Sequence, residues 1–211
     1  MPAYLLGLDL GQAADYTALT IAEVREVPTG ELHTDDAPKT IRHYDIRHLE
    51  RFPLGTGYPE IVAAVVARCA ALPAPGSHDL TPQLVVDATG VGRPVVDLLR
   101  DTQPRADVVP LTITGGDAPA GGASGYQSVP KRDLASTLAV LLQAARLNFA
   151  PTLPDAAVLQ QELLNFKVKL SAAGHDSYSA WRENQHDDLV LAAALACWWG
   201  ERKSQWLWEI V

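Results

Sequence analysis

Three apolar runs in this chain stop at, or start from, an aspartate, and no other feature limits the fold so sharply. Asp9 lies in Tyr4-Leu5-Leu6-Gly7-Leu8-Asp9-Leu10-Gly11, and Asp87 ends Leu84-Val85-Val86-Asp87. Asp188 closes His186-Asp187-Asp188, directly before the almost wholly apolar stretch Leu189 to Trp199. Such runs are core strands or helices, so each delivers its acid to one edge of a sheet. An ionised carboxylate beside a core is unfavourable unless something cationic pairs with it. No Lys or Arg adjoins any of the three in sequence. A bound divalent metal is therefore the expected partner, and oxygen-only ligation by Asp favours Mg²⁺ or Mn²⁺. The chemistry such a site most often supports is phosphoryl transfer, including phosphodiester cleavage.

The order of elements sets these acids in a frame. Leu5 to Leu10 reads as a strand, Thr17 to Val24 as a second and Thr40 to Leu49 as a third. Ile61 to Leu72, rich in Ala and Val, reads as a buried helix ended by Pro73 and Pro75. Leu84 to Asp87 is a short buried strand, followed by a Gly-rich turn and a helix that Pro94 opens at its first position. Val108 to Ile113 is another strand. Thr114 to Gly125 holds five glycines and reads as a mobile loop. A helix from Pro130 to about Arg146 follows, then a helix from Asp155 to Phe166. Val168 to Trp181 reads as a hairpin, and the last long helix begins near Asp187. Early strands followed by alternating strand and helix describe an α/β mixed sheet, five-stranded or larger, with helices on both faces.

At 211 residues this reads as one domain, 1–211, with no internal repeat and no clean linker. No opening stretch reads as a signal peptide, and Leu189 to Trp199 is too short to span a bilayer. Cys69 and Cys197 sit in apolar helical contexts, as reduced core residues do in a cytosolic protein. No Cys/His spacing suits zinc. The net charge of −8 argues against a self-sufficient nucleic-acid binder, which usually shows a basic face. A divalent ion adds positive charge where a phosphate must sit, so the acidity lowers the expected affinity for nucleic acid without excluding a nuclease.

Each acid alone has a plainer reading. Asp9 can simply end a strand, although alternation puts Leu5, Gly7 and Asp9 on one face, so that Gly7 leaves space beside the carboxylate. Asp87 can be a turn residue before a helix, and Asp187 and Asp188 can cap one. Capping needs only one of the two. Lys131 and Arg132 oppose the dipole of the helix they begin, by roughly 0.3–1 kcal/mol each, and Asp133 can offset this. The alternative is that Lys131 meets a DNA phosphate or positions the attacking water. Arg182 and His186 can contact phosphate or stand solvated. Gly90-Val91-Gly92 is only a fragment of a dinucleotide fingerprint. Trp198 and Trp199 read as core, while Trp206 and Trp208 pack on the domain or on a partner.

Taken in order, these segments resemble the nuclease domain of the large terminase subunit of tailed bacteriophages, a ribonuclease-H-like fold. The resemblance rests on Gly7-Leu8-Asp9-Leu10-Gly11 with Asp15-Tyr16-Thr17-Ala18, and on Val86-Asp87-Ala88-Thr89-Gly90-Val91-Gly92. It continues through Val129-Pro130-Lys131-Arg132-Asp133-Leu134, Glu162-Leu163-Leu164-Asn165-Phe166 and Ala180-Trp181-Arg182, to His186-Asp187-Asp188-Leu189-Val190. It implies a two-metal endonuclease, with two Mg²⁺ or Mn²⁺, that cuts concatemeric viral DNA during packaging. Asp9, Asp87 and Asp188 match the family's three acids, and Asp187 is a further candidate ligand. Lys131, Arg132, Arg182 and His186 are the candidate DNA contacts. Double-stranded DNA, an ATPase motor domain, the small terminase subunit and the portal are the implied partners, in host cytoplasm and away from membranes. No G-x-x-x-x-G-K-[ST] loop is present, so motor activity does not carry over. The chain is then either a separated nuclease domain or a stand-alone relative.

Two other readings compete. A resolvase of four-way DNA junctions would share the fold and the closing His/Asp pattern, but such enzymes are usually basic. An ATP-binding protein of the actin and sugar-kinase type would explain Gly7-Leu8-Asp9-Leu10-Gly11 followed by Thr17. That architecture needs a longer chain and a second phosphate loop.

Overall fold

The computed structural model describes residues 3–11, 15–34, 36–73, 81–90, 92–115, 120–121, 126–172 and 187–206. Its centre is an eight-stranded mixed sheet. The chain enters at β1 (Ala3–Asp9), turns back through β2 (Ala18–Leu32) and runs out again along β3 (Pro38–Arg51). After α1 (Tyr58–Ala71) come β4 (Gln83–Asp87), α2 (Gly92–Asp101) and β5 (Asp107–Thr114). The short β6 (Ala120–Gly121), β7 (Gln127–Pro130), α3 (Lys131–Gln143) and β8 (Leu147–Phe149) follow. Two helices close the order, α4 (Ala156–Ala172) and α5 (Asp188–Trp206). In space the strands run β6-β7-β5-β4-β1-β2-β3-β8. β1, β4, β5 and β7 are parallel to their neighbours in that stretch, so their C-terminal ends share one edge.

Alternation along β1 divides the core in two. Leu6 and Leu8 face α1 and α2, where Ile61, Val62, Val65 and Cys69 meet Val95, Val96 and Leu99. Leu5 faces the opposite layer with Leu134, Leu138 and Leu141 of α3, Leu159 and Leu163 of α4, and most of α5. Burying each such Leu, Ile or Val is worth roughly 1.5–3 kcal/mol. Helix α5 lies on β1 with α3 and α4 around it, which is why Leu189 through Trp198 is apolar on nearly every side. Gly7 is where α5 comes closest. A Cβ there would lie 1.8 Å from the Ala192 carbonyl oxygen. The glycine therefore makes room for the helix backbone rather than for the Asp9 carboxylate.

Several sequence expectations change. β2 and β3 are longer than their apolar cores predict, because beyond Val24 they continue as an exposed two-stranded arm. The expected hairpin at 168–181 is replaced over its first five residues by the end of α4, and the rest of that segment, with Arg182 and His186, lies outside the described residues. Alternating Lys167-Val168-Lys169-Leu170 imitates a strand, yet the Leu159–Leu163 face carries the helix onward. Pro94 is the third residue of α2, not the first. Thr114 still belongs to β5, and Ala120–Gly121 pairs with β7 inside the expected loop. The helix read as Pro130 to Arg146 is the shorter α3. Cys69 and Cys197 are buried free thiols, and Trp198 is buried. No helix among the described residues is long and apolar enough to cross a membrane.

Candidate active site

The parallel pairing of β1 with β4 brings the first two acids together. The register runs Leu5 to Gln83 through Leu8 to Val86, so Asp9 and Asp87 are the next residues on adjacent strands. Neighbouring strands stand about 4.8 Å apart. Helix α5 runs antiparallel to β1. Gly200 sits against Leu5, and Ala192 and Ala196 sit over Gly7. One turn before Ala192 is Asp188, and two residues after Gly7 is Asp9, so a rise of about 6 Å along each element brings Asp188 over Asp9.

Electrostatics agree with this placement. The Asp9 carboxyl is buried and held well above the ordinary carboxylate range. Burial is the largest cause, followed by the charges of Asp87, Asp188 and Asp187, while Lys131 acts in the opposite sense. Lys131 reaches this edge because it is the first residue of α3, directly after β7. The four acids and Lys131 thus share one electrostatic neighbourhood. Carboxylate oxygens are the donors that Mg²⁺ and Mn²⁺ prefer, and a cation would relieve the repulsion that raises Asp9. The donor chemistry fits a divalent ion, although among the described residues no three His, Cys, Asp or Glu form a ready-made ligating group.

The plainer readings are partly realised as well. Asp87 accepts a hydrogen bond from the Thr89 backbone N–H at 2.8 Å, which organises the turn into α2. Gly92 completes that turn, since a Cβ there would stand 2.2 Å from the Asp87 carbonyl oxygen. The fragment Gly90-Val91-Gly92 therefore contains a packing glycine. Asp187 precedes α5, and its carbonyl takes the Leu191 N–H at 2.9 Å, the position of a helix N-cap. Arg132 pairs with its neighbour Asp133 at 3.6 Å.

Two residues beside the acids were given no role in the sequence reading. Arg51, the last residue of β3, bonds through Nη2 to Glu162 of α4 and lies 3.4 Å from Asp188 Oδ2. The expectation that nothing cationic stands near the acids thus fails in space, although it holds along the chain. Glu162 is nearly buried and accepts from the Val190 backbone N–H at 3.0 Å. Burial pushes its carboxyl up to about 7, against the pull of the Val190 N–H and Arg51. In sequence Glu162 stood only within the segment Glu162-Leu163-Leu164-Asn165-Phe166, with no role of its own. Its partners lie more than twenty residues away, and no local spacing announces them.

No family model matches the sequence, and no curated protein matches it either. Solved structures do. The large terminase nuclease of thermophilic phage G20c superposes with a TM-score of 0.54 at 21% identity, over 92% of this chain and 81% of that one. The manganese-soaked human cytomegalovirus terminase nuclease domain gives 0.52 at 13% identity, over 91% and 80%. At these identities the likeness is one of architecture: the chain has the mixed-sheet, ribonuclease-H-like fold of large terminase nuclease domains.

Proposed function

We propose that this protein is a divalent-metal-dependent DNA endonuclease of the terminase type, acting on concatemeric viral DNA during genome packaging. The observation that carries this reading is the convergence of acids at one sheet edge, felt by Asp9 as the added charges of Asp87, Asp188 and Asp187. The fold likeness to terminase nucleases supports the same conclusion, as does the manganese used with the cytomegalovirus domain. Asp9, Asp87 and Asp188 are the assigned ligands, with Asp187 as a helix cap and the fourth candidate. Two Mg²⁺ or Mn²⁺ ions bound there would supply an activated water and stabilise the leaving oxygen. In this reading Lys131, at the start of α3, meets the scissile phosphate and offsets its charge. Arg132, Arg182 and His186 are assigned to flanking DNA. The packaging motor, the small subunit and the portal are the proposed partners, in host cytoplasm.

Purified protein is expected to nick or linearise plasmid DNA with Mg²⁺ or Mn²⁺, with little sequence preference, and to stop with EDTA. Cleavage undiminished by exhaustive chelation would sink the assignment. A four-way junction offered alongside linear duplex separates the resolvase alternative, which requires marked preference for the junction.

The charge of −8 has its own consequence. With Ca²⁺ in place of Mg²⁺ to suppress cutting, the lone chain is expected to bind duplex DNA weakly. Lys131→Ala should reduce both binding and cleavage while leaving metal occupancy unchanged. It should also flatten the dependence of log affinity on log salt by about one. Nanomolar, salt-steep binding by the isolated chain would show that the protein itself holds its substrate.

A further inference from the structure

We propose that Arg51 and Glu162 form a clamp that fixes Asp188 for cation binding, making both of them positioning residues. The proposal rests on the metal-site reading above and assigns two residues to it that touch no reacting atom. Glu162 uses both its oxygens. Oε2 accepts from the Val190 N–H, and Oε1 accepts from Arg51 Nη2. With Asp187 at the N-cap of α5, Val190 is the third helical residue, whose amide is the usual target of a capping side chain. Here that amide is satisfied by a carboxylate from another helix. The same Arg51 Nη2 that holds Glu162 stands 3.4 Å from Asp188 Oδ2. One guanidinium therefore spans the cap of α5 and the acid one residue into it.

The arginine is itself anchored. Its backbone N–H donates to Asp155 Oδ2 at 3.2 Å, tying the end of β3 to the residue before α4. Its guanidinium lies 4.7 Å from the centre of the Tyr16 ring. β3, α4 and α5 thus meet on one cation. A buried ion pair is weak support for stability, because desolvation offsets most of its attraction. It is well suited to holding like charges in place. Without Arg51, repulsion from Asp9 would push Asp188 away from the edge. Outer partners of metal ligands typically govern affinity by about 10–100-fold.

The test uses the whole chain and Mn²⁺ alone, read as loss of the free-ion resonance signal on titration, below the melting temperature of each variant. Glu162→Gln keeps an acceptor for Val190 but loses the charge that grips Arg51, so Mn²⁺ affinity should fall about tenfold. Arg51→Met should fall at least as far. Arg51→Lys, which keeps the charge and lacks the fork, should recover part of the loss. The double variant should lose little more than either single one, because both break the same clamp. If Glu162→Gln does not fold, Glu162→Asp and Arg51→Lys carry the same comparison. A lowered melting temperature with unchanged Mn²⁺ affinity would overturn the clamp and leave the pair merely structural. Absence of Mn²⁺ binding by the unaltered protein would instead overturn the metal site, and the clamp with it.

Discussion

Asp9→Asn is expected to abolish cleavage and, in the same molecule, to raise the melting temperature of the metal-free protein. The first effect follows from removing a central negative charge from the proposed ligand set. The loss should exceed the roughly 100-fold typical of an outer-shell partner. The second follows from burial and repulsion, which hold the Asp9 carboxyl well above its ordinary range. For an acid whose folded pKa is raised, stability is fully present below the unfolded pKa and is lost as pH rises through the folded one. The advantage of Asn over Asp should therefore be greatest in EDTA at pH above the folded pKa. It should shrink as pH falls through the folded pKa and vanish below the unfolded one. Asp188→Asn should be equally inactive, and Asp187→Asn milder if its N-cap role dominates. Full activity in a folded Asp9→Asn protein would refute the site, and an unchanged or lower melting temperature would refute the electrostatics.

Gly7→Ala is expected to be the most damaging glycine-to-alanine change among the described residues. The new carbon would stand 1.8 Å from the Ala192 carbonyl oxygen, and both partners are backbone in packed elements. Neither can rotate aside, so α5 must lift from β1. Overpacking of this kind costs about 3 kcal/mol or more. At about 2–4 °C per kcal/mol for a chain of this size, the melting temperature should fall by roughly 10 °C. Gly57→Ala is the control, because its added carbon meets nothing closer than 3.8 Å. A Gly7→Ala protein melting within a degree or two of the parent would show that α5 does not sit as described. Because α5 also carries Asp188, Mn²⁺ affinity should fall in parallel.

The acids were legible in sequence because each ends a run whose apolar residues declare a core element. Leu84-Val85-Val86-Asp87 can be little else than a buried strand with an acid at its rim, and the strand–helix alternation fixes which rim. β7 and β8 were not legible, since Gln127–Pro130 and Leu147–Phe149 are too short to display a period. They exist because β5 and β3 offer edges to pair with. α4 was read too short because its later residues alternate like a strand, yet the backbone stays helical to Ala172. Arg51 and Glu162 stayed hidden for a different reason. Arg51 lies beyond the strand read as Thr40 to Leu49, Glu162 stood only within a motif segment, and only the folded sheet brings them together.

The antiparallel seating of α5 on β1 has a consequence in time. Asp9 precedes Asp188 by most of the fold, and the sheet between them must form before α5 has a surface to dock on. Contacts of such long sequence separation form late and slowly. A chain lacking α5 cannot complete the acid edge, because Asp188 is the first residue of that helix. The order of folding thus delays assembly of the acid edge until α5 has docked.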